Sequence, residues 1–306
     1  AMRRPHTASD FLVGGRTMDR VVVALSAVSS GRSSWLVLGL SGMAYKMGVG
    51  AVWAVVGYVV VEMLQFVFVG RRLRRESGRA GALTLLDYLE SRCPGKDHGL
   101  RLCGAVIIGL FMTAYVAAQF NAGAKSLGAA LDIPMAAGLG IAGALVLVYM
   151  VLGGFIAVAY NDVVRAVIMI IGLVVLPVYG LIQVGGLDAL LATLAALDPA
   201  RVDPLSIGAG ALIGFVGIGL GSPGQPHIVI RYMSVSDPEK LRSSAVIGTF
   251  WNVVLGWGAV LIGLLGRALV PEADGLPDGD PEMVYLALSA RFFDPLNPDE
   301  MSLRIT

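Results

Sequence analysis

The stretch 25–42, LSAVSSGRSSWLVLGLSG, decides how the rest of the chain is read. Apolar sequence surrounds it, yet its centre, SSGRSS (29–34), sets a guanidinium among small hydroxyl and glycine residues. A charge at the middle of a membrane helix costs roughly 2.5–3.5 kcal/mol on insertion scales. Arginine is the only good helix former in those six residues, so the backbone is expected to unwind there. Irregular backbone at membrane depth survives only beside protein or water. If the surroundings are lipid, this stretch predicts a discontinuous helix against a cavity.

The surroundings read as lipid. The chain is 56% hydrophobic and 15% charged, with 40 glycines among 306 residues and a mean hydropathy of +0.75. Soluble domains carry about 25% charged residues. Charge-free runs extend over 102–124, 133–161, 166–187, 204–230 and 243–266, each longer than the ~20 residues a helix needs to cross a bilayer. Segments 21–44 and 49–70 are each interrupted by one charge, Arg32 and Glu62. That gives about seven transmembrane helices in an all-α, polytopic membrane protein.

Segment 205–232 is interrupted by GLGSPGQPH (219–227), in which Pro223 and Pro226 remove backbone donors. Paired Gly/Pro-interrupted spans point to a transporter binding site. Here they are the first and the sixth. A five-plus-five inverted repeat places them so, with 21–187 as the first repeat and 204–270 as the start of the second. Residues 1–306 then form one incomplete transmembrane domain, with 1–20 and 271–306 outside the bilayer. Partial charges at the helix breaks, with hydroxyls of Ser26, Ser29, Ser30, Ser33 and Ser34, suit a small zwitterion or carboxylate.

Most of the 23 basic residues fall in 1–20, 71–101 and 231–242, while PEADGLPDGDPE (271–282) is acidic. The positive-inside rule puts the N-terminal segment in the cytoplasm and 271–306 outside the plasma (inner) membrane. RRLRR (71–75) reads as a topology anchor, not a nucleic-acid or lipid-binding motif. Cys93 and Cys103 are expected as free thiols. The three histidines are scattered, so no metal cluster is expected, and no triad or phosphate loop marks an enzyme.

The motifs DFLVGGR (10–16), 25–42, LTLLDYLESR (83–92), YMVLGGFIAVAYNDVVRAVIM (149–169) and GQPHIVIRYM (224–233) together resemble the sodium/solute symporter family, most closely its sodium/proline branch. The resemblance implies a LeuT-type inverted-repeat core, Na+ as coupling ion, no other cofactor, and a chain that lacks residues at both ends. It implies substrate contacts from Trp35 and Tyr115, an ion pathway through Asp162, and a sixth-span break kept by Gln225, Pro226 and His227. With the polar residues at the breaks, the candidate substrate-binding set is Ser30, Ser33, Trp35, Tyr115, Ser222, Gln225 and Pro226. Ser29, Gly31 and Arg32 form the ion site or its replacement. Asp162 has a second reading, an i,i+3 pair with Arg165, and His227 a second reading as a packing residue.

Two departures matter. Proline symporters carry an aspartate where this chain has Gly31, and Ile218 and Ser222 replace aromatics at the sixth break. Arg32 has three readings: it points at the ion site and replaces sodium, it grips a substrate carboxylate, or it snorkels or pairs with an acid in the part of the protein outside this sequence. In the first, two unit charges about 5 Å apart repel by roughly 3 kcal/mol at an effective dielectric of ~20. The function expected is secondary active transport of a small solute, an amino acid such as proline or a monocarboxylate, by alternating access. The partners are that solute and membrane lipid. The alternative is a transporter-like sensory module joined to a downstream kinase domain.

Overall fold

The computed structural model describes residues 7–93, 99–131 and 133–293, apart from the side chains of Ser33, Ala129 and Ala130; the outer parts of the expected segments 1–20 and 271–306 lie outside these residues. The described chain is helical, with one isolated bridge between Met18 and Val235. Helices α1 (Ala8–Val13) and α6 (Leu85–Arg92) begin with capping boxes, Thr7 with Asp10 and Thr84 with Asp87. Each satisfies backbone donors that a helix N-terminus leaves open.

The first span is α2 (Arg20–Ser34), π-helical turns Trp35–Leu40, and α3 (Ser41–Met47). The interruption thus follows SSGRSS instead of unwinding it. Ser26 and Ser30 spend their hydroxyls on neighbouring side chains, so they do not compete for the local backbone as helix-breaking serines do. After Gly48 (φ +71) come α4 (Val52–Leu64), a second π-helical stretch Gln65–Gly70, and α5 (Arg71–Arg79), which carries the basic anchor.

Helices α7 (Gly99–Leu131) and α8 (Met135–Val184) follow. At 50 residues, α8 would be about 75 Å long, over twice the ~30 Å hydrocarbon core. It is divided at Gly154, where φ is +57 and an added Cβ would stand 2.9 Å from the Phe11 ring. Both facts demand glycine. The runs 133–161 and 166–187 are therefore joined with only one non-helical residue, Gly154, between them, and Asp162 lies inside a helix. After α9 (Leu187–Leu197), the sixth span comprises α10 (Gly208–Gly217), a 3-10 stretch Ile218–Gly224, an extended Gln225, and α11 (Pro226–Ser234). Proline at the first position of α11 is tolerated because its missing donor would be unpaired anyway. Helices α12 (Lys240–Leu269) and α13 (Val284–Phe293) complete the described chain. Cys93 and Cys103 are both free and exposed.

The chain divides into two compact units. The first comprises 1–33, 59–167 and 219–251. Its core joins Val23 and Ala27 of α2, Phe66, Ala159 of α8, Ile228 and Tyr232 of α11, and Leu241 and Ala245 of α12. The basic anchor is tied down here: Arg71 and Arg75 pair with Glu239, and Arg74 donates to the Val235 carbonyl at 2.6 Å.

The second unit comprises 34–58, 168–218 and 252–306. Tyr45 is its pin: the hydroxyl donates to the Val270 carbonyl (2.8 Å), and Arg267 lies over the ring. Arg201 donates to the carbonyls of Tyr45 and Lys46, at 3.2 and 3.0 Å. Phe292 of α13 meets Tyr179 edge-on.

Candidate functional site

Four charged side chains are buried among the described residues: Arg32, Glu62, Asp162 and Arg231. All belong to the first unit, and they form two ion pairs, Arg32–Glu62 and Arg231–Asp162. Leaving any one without its counter-charge costs roughly 3–5 kcal/mol, so the pairs, more than propensity, fix how α2, α4, α8 and α11 meet.

Asp162 is held from two other helices. Its Oδ2 accepts from Ser26 Oγ (2.7 Å), Ser30 Oγ (2.9 Å) and Arg231 Nη2 (2.7 Å). Four residues apart on α2, the two serines share a helix face. Each also accepts from Arg231: Nε reaches Ser26 Oγ at 2.7 Å, and Nη2 reaches Ser30 Oγ. Nη1 donates to the His227 carbonyl one turn earlier on α11. The i,i+3 reading of Asp162 is corrected here: its cation is Arg231, and Arg165 instead donates to the Tyr149 hydroxyl at 3.4 Å. Arg231, read from sequence as a loop charge, is buried. Sequence reasoning missed it because it borders the charge-free run 204–230, where loop and helix look alike.

Tyr115 of α7 donates to the Ser30 carbonyl (3.2 Å) and stacks on His227, with ring centroids 4.8 Å apart. The structure thus brings the candidates Ser30, Tyr115 and Asp162 together. At the sixth-span break, the Ser222 hydroxyl donates to Gln65 Oε1 (2.8 Å), and Gln65 Nε2 donates to the Ser222 carbonyl (3.4 Å). The carbonyl of Gln225 accepts from Ile228 and Val229, which starts α11 at Pro226. Trp35 belongs to the second unit, where its ring meets Tyr58 edge-on at 5.8 Å. The Ser33 side chain lies outside the described residues.

Arg32 pairs with Glu62, an acid within the described chain. The signal was available: two adjacent spans each carried one lone charge, of opposite sign. A Cβ on Gly31 would meet Ile228 Cδ1 at 3.0 Å and lie in ordinary contact, 3.7 Å, with Glu62 Oε1, so the glycine leaves room for Ile228 while the Glu62 carboxylate lies against it. Ser29 Oγ and Tyr232 Oη are buried without a hydrogen-bond partner among the described residues. Hydroxyl and carboxylate oxygens are the donors that hard cations such as sodium take.

The model of the Sodium:solute symporter family matches residues 11–297. The chain belongs to that family. It is 31% identical over 301 residues to the high-affinity proline transporter PutP of Bacillus subtilis (strain 168), covering 97% of this chain and 63% of that protein. To a sodium/proline symporter of Staphylococcus aureus (strain USA300) it is 32% identical over 295 residues, covering 94% and 56%. The chain thus spans about three fifths of the length of these relatives. Among solved structures it matches the substrate-bound outward-open state of a Na+-coupled sialic acid symporter with a TM-score of 0.77 and 19% identity, covering 94% of this chain and 60% of that one. The fold is the expected all-α LeuT-type core of a multi-pass membrane protein.

Proposed function

We propose that this symporter-family chain builds the greater part of a carrier that couples uptake of a small carboxylate-bearing solute, an amino acid such as proline or a monocarboxylate, to sodium. The observation that carries this reading is the polar cluster of Ser26, Ser30, Tyr115, Asp162 and Arg231 beside the discontinuous sixth span. Five polar side chains from α2, α7, α8 and α11 are assembled inside an apolar core. In a merely structural core, apolar packing of equal volume would serve as well or better.

The fate of Arg32 supports sodium coupling. Unpaired, it would repel a cation about 5 Å away by roughly 3 kcal/mol. Paired with Glu62, it presents a neutral couple, and most of that repulsion cancels. Ser30, Ser33, Trp35, Tyr115, Ser222, Gln225 and Pro226 are the candidate solute contacts, and Asp162 is the candidate ion relay. The basic loops support a cytoplasmic N-terminal segment, with the acidic 271–282 stretch outside.

The test is uptake by the full-length protein in proteoliposomes, with labelled proline and short carboxylates, with and without an inward sodium gradient. Sodium-stimulated accumulation of one of them is expected. Absence of accumulation of every solute under both conditions, in protein shown to be folded, refutes the reading.

A further inference from the structure

The two buried ion pairs differ in their surroundings. Around Asp162 and Arg231 the charged groups bond one another and the serines: one carboxylate oxygen accepts three hydrogen bonds, the guanidinium donates through Nε, Nη1 and Nη2, and the unpartnered buried atoms there are the His227 ring nitrogens. The Arg32–Glu62 pair instead has orphaned hydroxyls close by. Ser29 lies one turn before Arg32 on α2, and at 100° per residue its side chain falls between the face of Ser26 and Ser30 and that of Arg32. It is 3% exposed and its Oγ has no partner. Tyr232 on α11 is fully buried, its Oη is without a partner, and its ring meets edge-on, at 4.7 Å between centroids, that of Phe66, which lies four residues after Glu62. Buried hydroxyls nearly always find a partner. Two of them near a buried carboxylate are a set of oxygen ligands whose cation is, at present, an arginine.

We propose that Glu62, with Ser29 Oγ and Tyr232 Oη, forms a monovalent-cation site for which Arg32 is the resident competitor. Sodium taking Glu62 releases Arg32, whose planar fork then suits the carboxylate of a solute. Either exchange alone leaves a buried charge without its counter-ion. The two together restore neutrality, so cation and solute bind as a couple. This deepens the transport reading and rests on it for the identity of the ion, but cation binding is measured without transport.

The experiment is a sodium titration of purified full-length protein in detergent. The readout is thermal stabilisation, with choline chloride holding ionic strength constant. Arg32→Gln removes the competitor and lowers the sodium midpoint at least tenfold. Glu62→Gln raises it at least tenfold. Tyr232→Phe, which keeps both charges and guards against loss of folding in the other two, raises it several-fold. A midpoint within twofold of wild type for folded Arg32→Gln, or for Tyr232→Phe, overturns the proposal. If the sodium pattern holds but proteoliposome uptake is absent for every solute, the transport reading fails and the cation site stands.

Discussion

Removing the Arg231 guanidinium is the sharpest test of how the first unit is held together. Arg231→Gln withdraws the counter-charge of Asp162 and three donors directed at Ser26, Ser30 and the His227 carbonyl. Asp162 keeps only the two serine hydroxyls, at 2.7 and 2.9 Å, for a charge in a low-dielectric interior. Breaking such a pair costs roughly 3–5 kcal/mol. By the scaling for soluble domains of comparable size, that lowers Tm on the order of 10 °C. Asp162→Asn alone leaves the guanidinium stranded and costs a similar amount. The double variant strands neither charge, so its loss falls short of the sum by at least ~2 kcal/mol. The assay is thermal unfolding of the four proteins in detergent, followed by loss of monodisperse protein. Arg165→Gln is the control. If Asp162 paired at i,i+3, this variant would show the coupling; in the observed arrangement it stays within about 0.5 kcal/mol of wild type. Additive losses in the double variant, or an Arg231→Gln as stable as wild type, would refute the reasoning.

Two further outcomes follow from features outside this cluster. Gly154→Ala forces a Cβ into a positive-φ residue and to within 2.9 Å of the Phe11 ring; a loss of roughly 1–3 kcal/mol is expected, read as lower Tm and yield, and an unchanged Tm would mean the break tolerates a side chain. Cys93 and Cys103, both exposed and free, should react with a membrane-impermeant maleimide in inside-out vesicles and not in right-side-out ones; the reverse pattern would invert the proposed orientation.

The helices and their order were legible because lipid makes long charge-free runs a strong signal, and Gly/Pro clusters announce the sixth-span break. The form of the first interruption was not. Serine next to glycine reads as unwinding when its hydroxyl is free, and nothing local shows that Ser26 and Ser30 are engaged 136 and 132 residues away by Asp162. Arg231 was hidden at the edge of a charge-free run, 69 residues from its partner Asp162. Arg32 was the conspicuous charge, yet its meaning lay in Glu62, 30 residues on. Residue types announce that buried charges need partners; only the fold selects which.

The order in which these partners are made has a consequence for synthesis. Asp162 precedes Arg231 by 69 residues, which at typical elongation rates of ~5–20 residues per second is roughly 3–14 s. During that interval the carboxylate has left the ribosome and its cation has not. Ser26 and Ser30 were made earlier and can already solvate it, so they act as a temporary berth for the acid while the nascent chain awaits α11. On this view a defect at either serine would surface first as degraded nascent chain, before any change in the finished protein.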